Sequence, residues 1–145
     1  MRTALFTGTF DPFTVGHDNI VRRALKLCDR LIIAIGINEH KQCRQTAEER
    51  ANTIRHLYEG WTSVSVVVYD GLTADLAERE QADFIIRGVR SIKDFEYERE
   101  QAEVNRRLTG IETLLMLADP QLSAVSSSIV RELEHFGHDI HPYLP

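Results

Sequence analysis

Residues 3–17 read Thr3-Ala4-Leu5-Phe6-Thr7-Gly8-Thr9-Phe10-Asp11-Pro12-Phe13-Thr14-Val15-Gly16-His17. An apolar, β-prone run at Thr3 to Thr7 gives way to a stretch rich in turn residues, and that stretch leads into a helical pattern. From Gly16 to Cys28, the apolar positions Ile20, Val21, Ala24, Leu27 and Cys28 fall at i, i+1, i+4, i+7 and i+8, the stripe of a helix packed on a sheet. Strand, loop and helix in that order form the unit of a parallel sheet, because parallel neighbours need a crossover between them.

The unit recurs outward along the chain. Apolar runs return at Leu31 to Ile37, Val64 to Tyr69, Phe84 to Ile86 and Thr113 to Ala118, with helical spacing between them. Strands that are apolar throughout are buried on both faces, which predicts a single α/β domain over residues 1–145: a Rossmann-like, five-stranded parallel sheet flanked by helices. A second helix opens with Thr46 and Glu49 at capping-box spacing and carries Ala51, Ile54, Leu57 and Tyr58 inward. A last helix is expected from Ser127 to Phe136, with Gly137 ending it in the left-handed conformation. The segment Asp94 to Leu108 differs: it holds eight charges and only a faint apolar stripe, so it is either solvated or lines a pocket or a subunit interface.

Composition narrows the partners. The 145 residues carry 17 basic and 22 acidic side chains, a net charge of -5. That balance disfavours nucleic acid and anionic membrane surfaces and leaves a small-molecule or protein partner. Cys28 and Cys43 have no C-x-x-C spacing and read as reduced thiols, and no basic-then-apolar leader opens the chain, so a cytoplasmic location is expected. The longest apolar run, Leu31 to Ile37, is far too short for a membrane span.

In a parallel sheet, ligands sit beyond the carboxyl ends of the strands. The loop after the first strand is neither a G-x-G-x-x-G turn nor a P-loop. Its His17 lies on the inward stripe at the first helical turn, where it either caps the helix or turns an imidazole to a crevice that favours anions. After the fourth strand, Arg87-Gly88-Val89-Arg90 brackets a glycine with two guanidiniums, a geometry suited to phosphate. After the fifth, Ser123-Ala124-Val125-Ser126-Ser127-Ser128 offers hydroxyls and a helix N-terminus, although serines there are also ordinary caps. Glu98 shares the faint stripe of its helix and either faces the crevice or pairs with an arginine. Lys41 is one of three lysines beside 14 arginines and lies in a polar loop. His135, His138 and His141 have i, i+3, i+6 spacing, but Gly137 interrupts any metal comb. Phosphate donors from three strand ends, with no nucleophile–base pair and no paired carboxylates, fit phosphoryl or nucleotidyl transfer.

Thr7-Gly8-Thr9-Phe10-Asp11-Pro12 with Thr14-Val15-Gly16-His17, Ile86-Arg87-Gly88-Val89-Arg90, Asp94-Phe95-Glu96-Tyr97-Glu98 and Val125-Ser126-Ser127-Ser128-Ile129-Val130-Arg131 together resemble the bacterial phosphopantetheine adenylyltransferases. The resemblance runs in order along nearly the whole chain. The T-x-G-H and S-S-S-x-x-R pieces mark the wider nucleotidyltransferase superfamily, and I-R-G-V-R followed by D-F-E-Y-E marks this member.

The resemblance implies transfer of the adenylyl group of ATP to 4'-phosphopantetheine, with Mg2+ present and no covalent enzyme intermediate. It makes His17 the stabiliser of charge on the α-phosphate, and it puts Thr9 and Phe10 against the nucleotide, Thr9 also contacting the attacking phosphate. Lys41 and Arg87 would hold the phosphopantetheine phosphate, with Thr73 in the pantetheine channel. Gly88, Val89, Arg90, Glu98 and the stretch Leu122, Ser123, Ala124, Val125, Ser126, Ser127 and Ser128 would form the ATP site, with no metal ligand assigned among the side chains. A homohexamer and feedback inhibition by coenzyme A are also implied. The chain departs from the family pattern at Thr7, at Gln42-Cys43-Arg44-Gln45, at Arg99 and Gln101, and at Leu122-Ser123-Ala124-Val125. Two other readings compete: a nucleotidyltransferase with another acceptor, such as nicotinamide mononucleotide or a polyol phosphate, and a non-catalytic nucleotide-binding module.

Overall fold

The computed structural model describes residues 1–37 and 43–145. Five strands, β1 (Thr3–Gly8), β2 (Arg30–Gly36), β3 (Val64–Tyr69), β4 (Phe84–Val89) and β5 (Glu112–Leu117), alternate with helices α1 (Val15–Ala24), α2 (Ala47–Leu57), α3 (Thr73–Arg79) and α4 (Ile92–Thr109), and α5 (Ser127–His135) follows. All strand pairs are parallel and the order is β3-β2-β1-β4-β5. This is the expected sheet. Side chains alternate along the strands, so β1 sends Ala4 and Phe6 to one face, with Ile20, Val21, Ala24, Ala51 and Ile54 of α1 and α2. It sends Leu5 to the other, with Leu76 and Ala77 of α3.

The strand order places the site. From β1 the chain winds outward to β2 and β3, then returns across β1 to β4, so the switch point lies between β1 and β4. Their pairing stops at Phe6↔Ile86, whereas β4 continues against β5 through Val89↔Leu117. Beyond Phe6 and Ile86 the two central strands part and leave a crevice. This also corrects the expectation of a loop after Ile86: Arg87, Gly88 and Val89 are strand residues, held by β5 although an arginine and a glycine end the apolar run.

Two helix boundaries differ from those predicted. α1 ends at Ala24, and Lys26 and Leu27 donate to the carbonyls of Arg23 and Ala24 in a tightened turn. The tighter turn takes Leu27 off the inward stripe, so it is 43% exposed while Ile20, Val21 and Ala24 are buried. α5 ends at His135. Gly137 takes φ 82 as expected, and the bonds His138 N–H to Leu133 O and Gly137 N–H to Glu134 O complete a Schellman stop. α2 buries Ala51 and Ile54 with Tyr58 at its end, and Thr46 caps it by accepting from the Glu49 N–H (3.1 Å). α4 begins at a Ser91 cap, ends at Gly110 with φ 76, and has Glu98 as its one buried residue. α3, at seven residues, is too short for its spacing to stand out in the sequence. No helix among the described residues is long and apolar enough to cross a membrane.

Candidate active site

Two cavities open at the crevice, of about 510 and 530 Å³. The first lies between the β1–α1 loop, the end of β4 and the N-terminus of α5. The second lies under α4, against the ends of β2 and β3 and the start of α3. They share one wall, made of Thr7, Gly8, Thr9, Arg87 and Glu98.

His17 borders the first cavity as the third residue of α1. Its Nδ1 accepts the Thr14 backbone N–H (2.9 Å), while the Thr14 hydroxyl accepts the His17 N–H (3.4 Å), so an imidazole completes the capping box usually made by a glutamate. With its lone pair engaged at Nδ1, the neutral ring carries its proton on Nε2. The structure thus gives the helix cap at Nδ1 and sets the same residue at the border of the first cavity. Phe13 stacks on the ring (5.2 Å between centroids, 29°) and Phe10 meets it edge-on (5.0 Å, 90°). Burial first, then the charges of Arg87 and Arg90, lower the His17 pKa to about 3. At neutral pH the site therefore presents a neutral N–H donor, held in place and carrying no counter-charge.

The loop before His17 is fixed from three sides. The buried guanidinium of Arg50 on α2 donates to the Thr9 carbonyl. Arg131 on α5 donates to the Asp11 carbonyl (2.6 Å), and the Ser127 hydroxyl donates to the Pro12 carbonyl (2.8 Å). Phe10 sits at φ 52 with its ring buried over Gly8, where a Cβ would lie 2.9 Å from that ring. Thr9 and Phe10 border the first cavity, the ring of Phe10 being enclosed with Phe6, Phe13 and His17.

Arg87 crosses the shared wall. It forms a fork with Glu98, Nε to Oε2 at 2.8 Å and Nη2 to Oε1 at 2.6 Å, and its Nη1 donates to the Thr7 carbonyl. Glu98, 6% exposed, thus both pairs with an arginine and faces the crevice. Arg90 leans on Asp94 (3.1 Å) beside Gly88 and Val89 at the same cavity. Ser126 is the N-cap of α5, accepting from Ile129 N–H (3.1 Å), and Ser127 and Ser128 join it on the wall with Leu122 and Val125. Ser123 and Ala124 are exposed and border neither cavity. Thr73 lines the second cavity, its hydroxyl 2.9 Å from that of Tyr69. Lys41 lies outside the described residues. Arg131, which the sequence marks only by its place one turn after Ser128, also lines the first cavity and donates to the Ser128 hydroxyl (3.1 Å). Among the described residues no three His, Cys, Asp or Glu side chains gather as a metal cluster.

A switch-point crevice lined by guanidiniums, a helix N-terminus and a neutral imidazole suits a phosphate-bearing ligand. Residues 5–133 match the cytidylyltransferase-like family model, which gives the nucleotidyltransferase class. Two solved structures share the fold: a lipopolysaccharide core biosynthesis protein from Thermoplasma volcanium (TM-score 0.59, 20% identity, 82% of this chain and 97% of that one) and a protein from Vibrio parahaemolyticus (TM-score 0.62, 17% identity, 99% and 94%). The chain is 50% identical over its full length to the phosphopantetheine adenylyltransferase of Phocaeicola vulgatus, covering 96% of that protein. It is 49% identical over 98% of its length to that of Porphyromonas gingivalis, covering 93% of the relative. It belongs to the phosphopantetheine adenylyltransferase family.

Proposed function

We propose that this chain transfers the adenylyl group of ATP to 4'-phosphopantetheine, giving dephospho-coenzyme A and pyrophosphate. The observation that carries the proposal is the shared wall: two cavities, each large enough for one substrate, meet at Thr7 to Thr9 and Arg87. A nucleotide in the first cavity brings its α-phosphate beside His17, and an acceptor phosphate in the second lies against Arg87.

In the proposed reaction, an oxygen of the acceptor phosphate attacks the α-phosphorus directly. The bond from that phosphorus to the oxygen bridging it to the β-phosphate breaks, and pyrophosphate leaves with the electron pair. His17 Nε2–H donates to the α-phosphate oxygens as charge grows on them, a role suited to a donor that is already oriented and neutral. Arg87 is aimed by its fork with Glu98 and retains N–H donors for the acceptor phosphate, together with Thr9 and Lys41, while Thr73 borders the pantetheine arm. Gly88, Val89, Arg90 and the N-terminus of α5 receive the nucleotide and its polyphosphate. No covalent intermediate is required, since positioning and charge stabilisation supply the rate.

Mg2+ belongs to the proposal as part of the nucleotide substrate. Glu98 and Asp94 are each paired with an arginine and Asp11 Oδ2 accepts a backbone N–H, so these carboxylates are not arranged as a magnesium shell and the phosphates of ATP would hold the ion. Coenzyme A, which joins an adenine nucleotide to a pantetheine arm, could occupy both cavities and inhibit. Ile92, Phe95, Tyr97, Val104 and Leu108 of α4 are exposed, which supports association with further copies; we expect a homohexamer and a cytoplasmic enzyme. The deciding experiment supplies ATP and Mg2+ with 4'-phosphopantetheine or nicotinamide mononucleotide and follows pyrophosphate. Release with phosphopantetheine is expected; release only with the other acceptor would sink the assignment.

A further inference from the structure

We infer that Arg44 and Glu134 form a positioning pair that sets the shape of the nucleotide cavity. The inference rests on the reading above only in taking the first cavity as the ATP site. Arg44 lies in the segment between β2 and α2 whose residues depart from the family pattern, and the proposed chemistry leaves it without a role.

Arg44 is gripped at both ends. Its backbone N–H donates to Oδ2 of Asp11 (2.8 Å), in the loop that leads to His17. Its guanidinium meets Glu134 on α5 as a planar fork, Nε to Oε1 at 2.8 Å and Nη2 to Oε2 at 2.7 Å. Asp11 is in turn tied to the same helix, because its carbonyl accepts from Arg131, three residues before Glu134. Asp11, Arg44, Glu134 and Arg131 therefore close a ring through three elements: the β1–α1 loop, the segment before α2, and α5. Asp11 and Arg131 border the nucleotide cavity, as does Cys43, the residue next to Arg44. The Asp11 side chain is buried and its Oδ1 has no partner among the described residues, so this carboxylate depends on the Arg44 N–H.

An isolated ion pair as open to solvent as this one contributes little to stability. Its effect here is geometric. Without the fork, the hydrogen bonds that join α5 to the segment at Arg44 among the described residues run through Asp11, and the wall carrying Arg131 and Cys43 loses its fixed spacing. Arg44 and Glu134 touch no reacting group in this scheme, so they act on nucleotide binding and not on the chemical step.

The test is a double-mutant cycle of Arg44→Ala, Glu134→Ala and both together, read by the Kd for ATP, by kcat, by KM for each substrate and by the urea midpoint. Each single variant is expected to raise Kd and KM for ATP roughly three- to tenfold, with kcat and the KM for phosphopantetheine held within about twofold. The double variant should be no worse than the worse single, because either loss already opens the ring. Unchanged ATP affinity, effects that add in the double variant, or affinity that falls only in step with the urea midpoint would each overturn the inference. Absent turnover of phosphopantetheine with the cycle intact in ATP binding would remove the acceptor assignment alone. Normal turnover with no cycle would remove the pairing alone.

Discussion

The two cavities share a wall but are built in opposite ways. Around the nucleotide side, the backbone carbonyls of Asp11 and Pro12 accept from Arg131 and Ser127 of α5, in addition to the bonds that Thr7 and Thr9 of the shared wall accept from Arg87 and Arg50. Beyond the shared wall, the acceptor side is bounded by α4 and by the short α3, with the Tyr69–Thr73 contact as a side-chain tie. The contrast matches the demands of adenylyl transfer. Charge develops at the α-phosphate, where fixed donors are worth most because they need no reorganisation, whereas a flexible pantetheine arm needs mainly length and a wall.

If the nucleotide side is the preorganised one, the largest effect belongs to His17. Changing His17 to Ala should lower kcat by roughly 10²- to 10³-fold and leave ATP affinity nearly intact. Steady-state kinetics with an independent ATP titration separate the two, and a lost affinity with a preserved kcat would make the imidazole a ground-state binder.

Next comes the shared wall. Glu98→Gln breaks the fork and leaves Arg87, mostly enclosed, without its counter-charge. The cost should be about 3 kcal/mol in urea unfolding, and the KM for phosphopantetheine should rise more than that for ATP because a loosened Arg87 serves the acceptor. If both KM values rise equally, the wall belongs to neither cavity in particular.

A smaller change tests what holds the imidazole neutral. Its folded pKa of about 3 lies below the unfolded value of 6.5, so the unfolded chain binds more protons between these limits. Stability from this group is complete above the unfolded value and is lost as pH falls toward the folded one. Replacing Phe13, which stacks on the ring, with Ala admits water and should move the His17 pKa upward. kcat should then begin to fall on acidification below about pH 6, where the parent enzyme's His17 is still neutral. An unmoved acid limb would show that the stack contributes no desolvation.

These cases also show which parts of the molecule could be read from the sequence. The sheet could, because its central strands are buried and apolar while the half-buried edge strands β3 and β5 keep the same β-prone runs, and α1 and α2 carry a periodic stripe. The place of the site could, since it follows from topology. The end of β4 could not: Arg87 and Gly88 look like a loop until β5 pairs with them. Nor could the partner of Glu98 be chosen, because both of its readings suit the same spacing. Arg50 and Arg131 matter through bonds to the backbone of a loop 41 and 120 residues away, and Asp11 in that loop through the N–H of Arg44, 33 residues on; such bonds have no period to detect. Lys41 lies outside the described residues.

The smallest expected effect separates space needed by the fold from space needed by the ligand. At Gly8 a Cβ would press on Phe10 at 2.9 Å, against an aromatic cluster with no room to yield. At Gly88 it would rest on Ile20 at 3.5 Å, an ordinary contact. Gly88→Ala should therefore leave the urea midpoint almost unchanged, within about 0.5 kcal/mol. Ile20 and Gly88 both border the nucleotide cavity, so the added methyl should raise the KM for ATP a few-fold and spare that for phosphopantetheine. A shifted urea midpoint would place the need for glycine in the packing of β4 on α1, and a raised phosphopantetheine KM would place it on the acceptor side of the wall.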